Sequence, residues 1–128
     1  MSVIEFNAEV ISASTDDLAC IVALADDPNE PANWLILQRA LCVDEQDKKV
    51  GLDTYNFELS GSGTIYGGIE RASLLPDSLS VDLQQGSRAS ASKVLIHIKE
   101  DEATLKNLAE KLRFIFSNTN TAVSIEDE

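Results

Sequence analysis

Cations are nearly missing from the first third of this chain. Residues 1–47 carry ten carboxylates and one basic side chain, Arg39, whereas residues 48–128 carry twelve carboxylates and nine basic side chains. The excess is −9 in the first segment and −3 in the rest, within a net charge of −12. A surface so charged repels phosphates, which argues against nucleic acid and anionic membranes as partners. It suits a basic protein partner, whose approach it would steer and accelerate. Plain solubility explains the same charge more simply.

Other absences narrow the field. No apolar run approaches the roughly 20 residues that span a bilayer. The start, Met1-Ser2-Val3-Ile4-Glu5-Phe6, lacks a basic n-region and an apolar h-region, so a cytoplasmic location is expected. The two cysteines, Cys20 and Cys42, lie in apolar runs without a CxxC spacing and read as small core hydrophobes. The single histidine, His97, sits between Ile96 and Ile98 on a strand face shared with Lys93 and Lys99, which reads as a surface position rather than a catalytic base. Ser60-Gly61-Ser62-Gly63 lacks the following helix of a phosphate-binding loop and reads as a turn. No catalytic residue, cofactor or metal ligand is expected.

What is present is alternation. Ile4, Phe6, Ala8 and Val10 fall on one face of a single half-buried strand. Residues 18–25 and 34–43 are almost continuously apolar and suit central strands covered on both faces. Between them, Asp26, Asp27, Pro28, Asn29, Glu30 and Pro31 make a hairpin loop. Tyr55, Phe57 and Leu59 alternate in a strand that turns at Ser60-Gly61-Ser62-Gly63, and residues 64–69 return. Leu79, Val81 and Leu83, then Val94, Ile96 and Ile98, mark two more strands, with residues 85–92 as a polar loop between them. From Glu100 the spacing turns helical: Leu105, Leu108, Ala109, Leu112 and Ile115 or Phe116 share a face, and Asn118 and Asn120 can end the helix. The expectation is an α+β domain over residues 1–118, mainly an antiparallel sheet of about seven strands with one C-terminal amphipathic helix packed on it. Residues 119–128 read as an acidic tail.

Arg39 interrupts the apolar run of residues 34–41. A central-strand Arg is costly unless paired. A symmetric hairpin sets it opposite Cys20, so its expected partner is a carboxylate of residues 44–47 or Asp53. A structural pin is favoured over a role in orienting a binding loop. Asp44, Glu45 and Asp47 lack the DxDxDG spacing of a calcium loop and have Lys48-Lys49 beside them, so a solvated loop or a protein-binding surface outranks a metal site. Tyr66-Gly67-Gly68 reads either as a bulge beside a packed aromatic or as an exposed tyrosine anchor.

Gln38-Arg39, the acidic Asp44-Glu45-Gln46-Asp47, Gly51-Leu52-Asp53-Thr54-Tyr55 and Tyr66-Gly67-Gly68 follow one another in an order that resembles the immunity protein 10 family of bacterial polymorphic toxin systems. The resemblance implies a non-enzymatic protein that binds and neutralises a cognate toxin in the cytoplasm. Many such toxins are nucleases, whose basic grooves would complement the acidic first segment. Partner contacts are then expected at Asp26, Asp27, Glu30, Asp44, Glu45, Asp47 and Tyr66. Gln38, Arg39, Asp53, Tyr55, Gly67 and Gly68 carry the family pattern. A small metal-dependent enzyme using Asp44, Glu45 and Asp47 with Asp53, or an assembly module dimerising through a sheet edge, remain the alternatives.

Overall fold

The computed structural model describes residues 3–41, 54–86, 89 and 91–126. Ten strands and one helix are present among them: β1 (Val3–Asn7), β2 (Val10–Thr15), β3 (Ala19–Ala25), β4 (Trp34–Ala40), β5 (Asn56–Leu59), β6 (Gly63–Tyr66), β7 (Ile69–Leu75), β8 (Ser78–Leu83), β9 (Lys93–His97), α1 (Glu102–Ile115) and β10 (Ala122–Ile125). They form two five-stranded sheets, ordered β1-β9-β8-β7-β10 and β2-β3-β4-β5-β6, rather than one sheet of about seven strands. Pairing is antiparallel except for β1 with β9 and β10 with β7, which run parallel. The inner faces of both sheets and one side of α1 share a single apolar core.

The sheets are joined at two corners, and both lie inside segments that read as continuous strands. At the first, Ala8 N–H donates to His97 O in the first sheet, and the next residue, Glu9, donates to Ala25 O in the second. The corner changes which side chains face inward. Ile4 and Phe6 point to the core in β1, whereas Ile11 and Ala13 do so in β2. Val10 is therefore paired with Ala25 on the outer face, not aligned with Phe6. At the second corner, Gly67 N–H donates to Tyr55 O, and Gly68 O accepts from Gln84 N–H. Gly67 and Gly68 have φ of 65° and 91°, a left-handed turn that lets residues 64–69 divide between β6 and β7. The bulge expected here lies just beyond, between Ile69 and Arg71, and passes the inward direction from Ile69 to Ala72 and Leu74.

The helix follows its sequence closely. Asp101 caps its start by accepting from Thr104 N–H at 2.8 Å. Leu108, Ala109, Leu112 and Ile115 are buried, and Asn118, at φ 57°, turns the chain away beyond the C-terminus. Ala122–Ile125 then adds β10 alongside β7, in the segment expected to be a tail. Its short Ala-Val-Ser-Ile alternation places Val123 and Ile125 against the core. The strands read as covered on both faces, β3 and β4, are central in their sheet, yet among the described residues only their inner faces pack on other elements.

Only its backbone angle constrains Gly67, since an added Cβ meets nothing nearer than Thr54 Cγ2 at 3.8 Å. Gly67→Ala is expected to lower the unfolding free energy by about 1–2 kcal/mol, the cost of a left-handed L-residue. Urea denaturation measures this, and an unchanged midpoint would show that the corner does not require the turn.

Candidate functional site

The residues singled out in the sequence separate into two groups in space. One group joins the end of α1 to the second corner. Arg39 leaves β4 on the inward side, opposite Cys20 as the symmetric hairpin requires. Its Nη1 donates to the carbonyls of Ile115 (3.0 Å), Phe114 (3.3 Å) and Ser117, and its guanidinium lies 6.0 Å from the Phe114 ring centre. The carboxylates expected as its partners, in residues 44–47 and at Asp53, lie outside the described residues; its described acceptors are these main-chain oxygens and Ser117 Oγ at 3.3 Å. The last carbonyls of a helix lack intrahelical donors and carry the negative end of its dipole, so a guanidinium answers both needs. Arg39 is a pin, and what it holds is the helix C-terminus.

Tyr55 completes this fastening. Its side chain is buried, packed edge-on against Phe116 with ring centres 4.9 Å apart. Ile69 N–H donates to Tyr55 Oη at 2.9 Å, and Thr121 Oγ1 donates to Ile69 O at 2.6 Å. Thr121 has one hydroxyl proton, so across the remaining 2.7 Å contact Tyr55 is the donor. Two hydroxyls thus satisfy both backbone groups of the residue that opens β7. Nothing in the Tyr-Gly-Gly motif announces Thr121, which sequence reasoning missed. Its position is visible only once β10 returns beside β7.

The other group is exposed and acidic. Asp26 and Asp27 begin the loop between β3 and β4. Asp26 Oδ1 accepts from Ala32 N–H, and Oδ2 accepts from the backbone and side-chain amides of Asn33. Desolvation alone would raise its pKa, but these bonds outweigh it and hold the carboxyl below its ordinary value. The N–H groups of Glu30 and Asn29 lower the pKa of Asp27, and those of Ala19 and Leu18 lower that of Asp16 in the β2–β3 turn. Glu30 is exposed at the loop tip. Tyr66 is 45% exposed at the end of β6, on the outer side, where it pairs with Asn56. Gln38 faces the same way between Ile21 and Asn56. Cys42, Asp44, Glu45, Asp47 and Asp53 lie outside the described residues. His97 is at the surface, with Nε2 2.6 Å from Glu5 Oε2 across the β1–β9 pair.

Two predictions come from these arrangements. Tyr55→Phe leaves the buried Ile69 N–H without its acceptor and is expected to cost about 1–3 kcal/mol in denaturant unfolding. Arg39→Met should destabilise the same helix end, so the double variant should lose measurably less than the sum of the singles, because the two side chains hold one element. Additive losses would separate their roles. The second concerns acid. Asp16, Asp26, Asp27 and Asp101 have folded pKa values below the ordinary 3.8, so the unfolded chain takes up protons first as pH falls. Their stabilisation is complete above that value and is lost as pH drops through the folded pKa. Asp16→Ala with Asp27→Ala should therefore flatten the fall in urea midpoint below about pH 4. An unaltered slope would assign acid sensitivity to other groups.

No curated protein matches the chain. The sequence model of immunity protein 10 matches residues 7–111, from the first corner through most of α1. That span contains Arg39, Tyr55 and Gly67-Gly68, whereas residues 114–117 and Thr121, to which Arg39 and Tyr55 bond or on which they pack, lie beyond it. The chain belongs to the immunity protein 10 family.

Proposed function

We propose that this protein is a non-enzymatic immunity protein that binds and neutralises a cognate toxin in the cytoplasm of the bacterium producing it. The family match over residues 7–111 carries the reading. The charge distribution supports a toxin with a basic surface, such as a nuclease whose groove is built for phosphate. Asp26, Asp27, Glu30, Asp44, Glu45, Asp47 and Tyr66 contribute to recognition in this reading. The carboxylates of Asp26 and Asp27 also shape their own loop, so Glu30 is the cleaner probe of charge on that side. Inhibition then consists of occupying the toxin's active site or a surface it needs.

Co-expression with the toxin encoded beside this gene should restore growth to cells that the toxin alone arrests. Failure to rescue, with both proteins produced and folded, would remove the immunity reading. Reversing Asp44, Glu45 and Asp47 to Lys should slow association at low salt and weaken its salt dependence. Association rates that stay unchanged at low salt would take those three residues out of the interface.

A further inference from the structure

The outer face of the second sheet is mixed: Ser12, Ser14, Asn56, Glu58 and Thr64 keep its margins polar, and its centre is apolar. Antiparallel sheets with one wet face place polar side chains on it. Here Ile21, Ala23 and Ala25 of β3 lie opposite Gln38, Ile36 and Trp34 of β4 on that side. All are partly exposed, and none is among the residues packed on the core. Trp34 and Ile36 are each paired with a small residue of β3, Ala25 and Ala23. Trp34 is held in place by its Nε1, which donates to Glu58 Oε2 at 3.2 Å. Tyr66 closes the far side of the same face. A tryptophan held in place, aliphatic neighbours and a polar border are the parts of a protein-binding hot spot.

Charge selects the occupant. Across residues 9–41 and 54–66, which build this sheet and its described loops, Glu9, Asp16, Asp17, Asp26, Asp27, Glu30 and Glu58 face one cation. That cation, Arg39, is turned inward onto the helix carbonyls. A second copy laid on this face would set Glu58 and the residue 26–30 carboxylates against their own equivalents. A partner with an apolar centre and a lysine- or arginine-rich rim meets neither difficulty. The three longest strands of this sheet, β2 with six residues and β3 and β4 with seven each, present roughly 24 by 14 Å. That is on the order of 300 Å², below the ~800 Å² that each side of a stable complex commonly buries, so the acidic loops at the rim must join the contact.

We propose that the outer face of β2–β6, centred on Trp34 and Ile36, is the surface that docks the basic-rimmed toxin. This rests on the immunity reading above and names the surface that performs it. The chain's one tryptophan makes the test direct. Fluorotryptophan is incorporated at Trp34, and fluorine NMR is recorded with and without an inactivated form of the toxin encoded by the adjacent gene. The free chain should show a resonance broadened by a dissolved paramagnetic agent, and toxin should shift and shield it. Ile36→Lys with Ala23→Arg, checked for an unchanged thermal melt, should weaken toxin binding at least about thirty-fold. Should the pair unfold the chain, the wild-type resonance still gives the answer. Tight toxin binding that leaves the Trp34 resonance and the variant's affinity unchanged overturns the face and spares the immunity reading. No complex with the wild-type chain removes both. A Trp34 resonance already shielded in the free chain also overturns the proposal. Light scattering then tells a second copy from cover by the chain's own residues 42–53.

Discussion

The backbone of Ile69 is the point on which both sheets and the helix end converge. Its N–H and C=O are buried where the chain has just crossed from one sheet to the other, so neither can rely on water. The hydroxyls of Tyr55, from the second sheet, and Thr121, from the segment after the helix, answer both. Because Phe116 packs on the Tyr55 ring and Arg39 holds the carbonyls before it, the same closure fixes where α1 stops. Order at the corner, the helix terminus and β10 is therefore one cooperative arrangement.

Beyond that closure, the second sheet has one face in the core and the other outside it. The inward side of the second sheet supplies Val22, Leu24, Leu35, Leu37, Phe57 and Leu59 to the core. The outward side has no described element to cover it, and its loops have almost no cation to balance it. The same strands thus divide their side chains between the core and the open face proposed above for the partner.

Much of the architecture was readable along the chain because it is local. The alternation of Leu79, Val81 and Leu83, the helical spacing from Leu105 to Phe116, and Asn118 at the helix end all depend on residues within a turn or two of one another. The acidic loop of residues 26–33 was equally plain, since prolines and Asx side chains act on their own backbone. The corners were not readable. Alternation continues through Ala8-Glu9 and through residues 64–69, and a switch of sheet leaves no mark on polarity beyond the paired glycines. The bonds from Arg39 to the carbonyls of Phe114, Ile115 and Ser117 were hidden for a related reason: every residue carries a carbonyl, so no side-chain identity reveals such an acceptor.

The sequence by itself determined the family, the helix with its caps, most strands, and an acidic surface that favours a basic partner. Only the tertiary structure decided that the strands divide into two sheets, that residues 122–125 join one of them, and which side of β3 and β4 is left open. The physical reason is distance along the chain. Propensity, periodicity and charge are properties of neighbours, whereas a sheet order, a capped helix end and an uncovered face depend on residues brought together from remote segments.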